Sequence, residues 1–149
     1  MQGRRLVAQI GRLLNMASFL SPLLRGHGEH ELRNERTGAV LASHVLTAFD
    51  SESRRTGLLK HESLPQGHGL IIAPSNAVHT FFMRFAIDLA FVAKDGRVVK
   101  VRAAVPPWRL SGALRAYAVV ELPAGTLERT GTVRGDRLVI VSNHVFTSV

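Results

Sequence analysis

Residues 79–96, HTFFMRFAIDLAFVAKDG, limit the fold of this chain more than any other stretch. Positions Phe81, Met83, Phe85, Ile87, Leu89 and Phe91 are all large and apolar, whereas Phe82, Arg84, Ala86, Asp88, Ala90 and Val92 are mixed. Alternation with period two marks a strand with one face against a core. Asp95-Gly96 ends the run as a hairpin turn, and the apolar residues from Val98 onward supply the partner strand. An unbroken strand from Phe81 to Val92 would exceed the usual limit of about ten residues, so a bulge or bend is expected between Arg84 and Ala86. Straight, the strand would hold Arg84 and Asp88 roughly 13 Å apart on one face. Bent, it would bring them together as an ion pair. Polar groups in so dry a segment need partners.

The rest of the composition narrows the class. At 149 residues, 46% hydrophobic and 20% charged, the chain is most simply one globular domain with a full core. It has no cysteine, which excludes disulfides, thiolate metal sites and a cysteine nucleophile. Net charge is +8, carried almost wholly by arginine, since Lys60, Lys94 and Lys100 are the only lysines. The arginines are scattered and form no basic tail, and no nucleic-acid motif accompanies them. Specific nucleic-acid binding is therefore not expected; an unspecific attraction to polyanions or an anionic membrane surface is open, and a merely basic composition is the favoured alternative.

Residues 1–28 differ from the remainder. No acid precedes Glu29, and Leu6, Ile10, Leu13, Leu14, Ala17 and Leu20 fall on one helical stripe. Arg12 and Asn15 interrupt what would be the apolar part of a signal sequence, and the apolar run is too short to span a bilayer. The segment is expected to be an amphipathic helix over residues 4–20, or a degenerate signal or anchor. Its partner would be a membrane surface or another protein. Pro22 and Gly26-His27-Gly28 close it as a linker, and a start at Met16 is an alternative. On this reading the domain comprises residues 31–149, and removing 1–28 should leave it folded. Location is open between cytoplasm, peripheral membrane association and export.

Beyond Glu31, turn signals separate short strands. Thr37-Gly38 is a turn, and AVLASHVLTAF is a strand pair or one bent strand. Asp50 or Ser51 caps a short helix ended by Gly57, and Leu70–Ile72 is a buried strand. Strands follow at VVKVRAAV, AYAVVEL and RLVIVS, with Thr126 capping a second helix stopped by Gly131. The fold class expected is α+β: a small, mostly antiparallel curved sheet or partly open barrel, with two short helices plus the N-terminal helix.

Taken in order, GLLKHESLPQGHGLII, NAVHTFFMRFAIDLAFVAKDGRVVKV, PPWRL, ELPAGT and RGDRL resemble the uncharacterised bacterial and archaeal family DUF 192, also called UPF 0127. The resemblance runs from about Leu46 to Val141. It implies a small α+β domain on a curved antiparallel sheet, and a signal or anchor ahead of that domain in many relatives. It implies no activity. Relatives often carry proline at the position of Ala86, and some carry cysteine at that of Ser75, which here removes any thiol chemistry.

His79, Thr80, Arg84, Asp88, Trp108, Arg109 and Glu121 are the candidate site residues. A histidine with a carboxylate partner can move protons, Arg84 or Arg109 can hold an anion, and Thr80 or Ser75 can offer a hydroxyl. No nucleophile elbow, phosphate loop or paired-histidine spacing is present, so no catalytic residue, metal or cofactor is assigned. The bland alternative is an Arg84–Asp88 pair that fixes the bend, with Trp108 as a lid over the core. Three function classes follow. The first is a binding or interaction module beside the His79–Asp88 stretch. The second is a small hydrolase using His79 and Asp88, and the third a non-specific polyanion binder.

Overall fold

The computed structural model describes residues 18–25 and 28–143. The helix expected over 4–20 lies outside the described residues, except for Ser18–Leu20, which form no helix. The described residues contain three short helices, α1 (Ser21–Arg25), α2 (Ser51–Thr56) and α3 (Thr126–Thr130). The strands are β1 (Glu29–Asn34), β2 (Val40–Ala42), β3 (His44–Ala48), β4 (His68–Ile72) and β5 (Ala77–His79). They continue with β6 (Ile87–Val92), β7 (Val98–Val105), β8 (Leu110–Gly112), β9 (Ala118–Pro123) and β10 (Leu138–Asn143).

The central sheet has five strands in the order β3-β4-β9-β6-β7. A three-stranded sheet, β10-β1-β2, and a two-stranded ribbon, β5-β8, complete the fold. Pairing is antiparallel except between β3 and β4, which run parallel. The mostly antiparallel α+β expectation therefore holds, but the described residues form separate sheets and no closed barrel.

The core has two layers. Between the five- and three-stranded sheets lie Leu32, Leu41, Ile71, Ala90, Val120 and Leu138. On the other face of the central sheet, Leu58, Leu70, Met83, Leu89, Phe91 and Val119 form a second layer. All six residues of β6 are buried, so this strand is covered on both faces, beyond the single apolar face read from its alternation. Leu20 is fully buried, and Phe19 and Leu23 pack on the first layer. The core thus takes in side chains that precede the boundary expected near Glu31, and the stretch expected to be linker includes helix α1.

Local signals act where expected. Asp50 accepts the N–H of Ser53 at 2.8 Å and caps α2, which ends at Gly57. Gly96 has φ 93°, and an added Cβ would collide with the carbonyl of Leu138. Two expectations need correction. Strand β6 starts only at Ile87; Phe81 to Ala86 is a turning loop in which Phe82 has φ 66°. Its apolar alternation reflects a loop that drops Met83 into the core, not a strand. At the start of α3, the N-cap position belongs to Gly125, without a side-chain cap, while Thr126 Oγ1 donates to Pro123 O at 2.7 Å.

Candidate functional site

Register places the key carboxylates. Glu121 on β9 lies opposite Leu70 on β4 and Leu89 on β6, both members of the second core layer. Its side chain therefore enters that layer, whereas Asp88, one residue from Leu89, points to the opposite face. The two acids never meet.

Glu121 lines a cavity of about 380 Å³. Helix α2 and the turn after it make one wall, and the Ser75–Met83 segment makes the other. Arg54, Arg55, Ser75 and His79 bring polar groups to the lining, and Leu58, Ile72 and Met83 bring apolar ones. Glu121 is only 4% exposed, and its Oε2 has no hydrogen-bond partner among the described residues. Burial pushes its carboxyl up to about 7, because the charged form loses hydration and gains no compensating contact. Arg54 Nη1 donates to Phe49 O at 2.8 Å, which ties its guanidinium back to the protein.

The sequence candidates separate into three groups. His79 and Glu121 line this cavity. Thr80, Trp108 and Arg109 belong to a staple between two loops. Thr80 N donates to Arg109 O at 2.8 Å, and its hydroxyl donates to Pro106 O at 2.7 Å while accepting Arg109 N–H at 2.9 Å. With those bonds made, Thr80 has no role as a nucleophile. Trp108 is exposed and stacks at 5.8 Å on Phe81, so it is no lid over the core.

Arg84 and Asp88 form the third group, and the expected pair between them does not exist. Asp88 is fully buried; its carboxylate accepts Ala104 N–H at 2.8 Å and Leu127 N–H at 2.9 Å. Arg84 is exposed and meets Glu62 at 3.4 Å on the surface. The physical reason is the loop at 81–86, which turns Arg84 outward before the strand begins, while Asp88 is committed to backbone donors. Asp88 therefore belongs to structure and not to the cavity.

Sequence reasoning missed the wall made by α2, including Arg54 and Arg55. Its one visible signal was the basic end of a capped helix, which does not reveal what that helix covers.

The fold has counterparts among solved structures. A protein of unknown function from Novosphingobium aromaticivorans DSM 12444 superposes with TM-score 0.61 at 23% identity, covering 74% of this chain and 82% of that one. A protein from Sinorhizobium meliloti 1021 described as a "putative transcription regulator" gives TM-score 0.62 at 22% identity, covering 74% of this chain and 91% of that one. At such identities the likeness concerns the fold alone. No curated protein matches the chain. The family model DUF192, described as "Uncharacterized ACR, COG1430", matches residues 32–140, which include the whole cavity and, apart from Leu20, the buried residues of both core layers. By that match the chain belongs to the DUF192 family.

Proposed function

We propose that the domain is a small-molecule binding module whose site is the cavity between α2 and the Ser75–Met83 segment. The observation that carries this reading is Glu121 in the cavity lining, a buried carboxyl whose Oε2 has no partner among the described residues. A buried polar atom without a partner is costly, and native structures almost always provide one. A ligand offering an N–H or O–H to the Glu121 carboxyl would do so after a small rotation of that group, since Oε2 itself is closed off from the cavity space. The volume lies within the range of small-ligand sites, and the mixture of apolar wall and few polar groups suits one. Residues His79 and Glu121 serve as site residues; Arg54, Arg55 and Ser75 complete the lining.

A screen of small polyols, amines and amino acids by ligand-observed NMR tests this. Hits should lose their signal with Glu121→Leu and with Ala77→Phe, which adds bulk to the cavity lining. Hits that bind both variants as well as the parent would overturn the reading.

A hydrolase is the second reading, with Glu121 in place of Asp88. A carboxyl pushed up to about 7 by burial suits general acid or base work, and His79 lines the same cavity. Turnover of chromogenic esters or glycosides that vanishes in Glu121→Gln would favour it over binding alone. The polyanion reading rests only on net charge; heparin retention lost at moderate salt would reduce it to electrostatics.

A further inference from the structure

The loop after β5 and the loop before β8, here called the tip, present two aromatic residues to solvent. Phe82 is 71% exposed and Trp108 57% exposed, and their rings meet edge to face at 4.7 Å. Leu110, 69% exposed, adds a third apolar side chain two residues beyond Trp108. Both aromatics are at positive φ, 66° for Phe82 and 67° for Trp108. That backbone region is strained for bulky side chains, and such strain persists only where surrounding structure imposes it.

Here the Thr80 staple imposes it. Besides its bonds to Pro106 and Arg109, Thr80 O accepts the N–H of Trp108 at 3.0 Å and of Met83 at 3.2 Å. The exposure of these rings is therefore a property of a cross-linked double loop. Burial inside the molecule offers little return for the strain, which points to a partner outside it.

Charge selects the partner. Arg84 and Arg109 are exposed within the same two loops, and neither 80–86 nor 106–112 contains an acid. Glu62 is the one acid that meets Arg84, in a pair between well-exposed side chains. Exposed pairs of this kind are weak and readily exchanged. Net charge over the chain is +8. We propose that this tip is a membrane-docking wedge for an anionic bilayer surface. Phe82, Trp108 and Leu110 enter the boundary between headgroups and acyl chains, while Arg84 and Arg109 extend to lipid phosphates. The Phe82 and Trp108 rings cross at 61° between planes, which is no flat platform for a sugar. Three apolar side chains are also far fewer than a stable protein–protein interface needs. The inference stands on the tip alone and is independent of the cavity.

Trp108 is the only tryptophan, which makes the test direct. The full chain is mixed with vesicles of phosphatidylcholine, with or without phosphatidylglycerol. Emission should shift to the blue with the anionic vesicles, be quenched by lipids brominated on the acyl chain, and weaken with added salt. Phe82→Gly should reduce partition by about tenfold, as loss of one buried aromatic implies, with no loss of melting temperature because glycine accepts this φ. Leu110→Ser should reduce partition while the fold stays intact. Unchanged Trp108 emission with every vesicle overturns the proposal. So does co-sedimentation without an emission change, which would assign membrane contact to another part of the chain. Unfolding of Phe82→Gly, together with full partition by Leu110→Ser, would show the aromatics to be structural and also overturn it.

Discussion

Asp88 Oδ2 accepts the backbone N–H of Leu127 at 2.9 Å, so a carboxylate on β6 caps a helix 39 residues further along the chain. Helix α3 has glycine at its N-cap position and no side-chain cap of its own. The same carboxylate accepts the N–H of Ala104, a residue at φ 49° in β7, at 2.8 Å. One buried acid thus ties together a central strand, an edge strand and a helix start.

Asp88→Ala should lower stability by about 1–3 kcal/mol, since it leaves the buried Leu127 N–H unpaired, frees that of Ala104 and removes the cap. Arg84→Met should change it by no more than about 0.5 kcal/mol, as expected of a surface side chain. Urea denaturation of both single variants and the double should give a coupling near zero. A coupling above about 1 kcal/mol would restore a direct link between the two residues.

Glu121 should make stability fall as pH rises. Its folded-state carboxyl is pushed up to about 7 from an ordinary 4.5, so the folded chain keeps a proton that the unfolded chain loses between those values. The loss begins near the lower value, is complete above the upper one, and amounts to about 3 kcal/mol. Glu121→Gln should flatten that part of the profile. Urea midpoints at about pH 5 and about pH 8, compared between parent and variant, measure it.

Gly96→Val should destabilise by at least about 1–3 kcal/mol. The turn needs φ 93°, and the added side chain would strike the carbonyl of Leu138, whose own N–H donates to Gly96 O at 2.8 Å. Thermal melts report the loss. An unchanged midpoint would mean that the hairpin and β10 tolerate separation at this point.

Removing residues 1–28 should cost about 2–5 kcal/mol more than removing residues 1–17, the range for deleting a core leucine. Leu20 is fully buried and Phe19 N donates to Lys94 O at 2.9 Å, so the second cut enters the core. Equal stability of the two truncations would place the domain boundary after residue 28.

Much of this molecule is written in nearest-neighbour terms. Asp50 caps α2, Gly131 stops α3 and Gly96 turns the β6–β7 hairpin, because each depends on the φ or the hydrogen bonds of a few adjacent residues. The α+β class follows from the same short-range signals. What pairs with what was not legible. Apolar alternation over Phe81–Phe85 reads as strand, yet it belongs to a loop, because the same pattern arises when a loop buries Met83, half-buries Phe81 and Phe85 and turns Phe82 outward. Opposite charges four residues apart read as a pair, yet Asp88 found backbone donors 16 and 39 residues away and Arg84 found solvent. Glu121 was visible as a candidate only by its type. Its burial, its free oxygen and its cavity come from strand register and from the placement of α2, which tertiary packing alone decides.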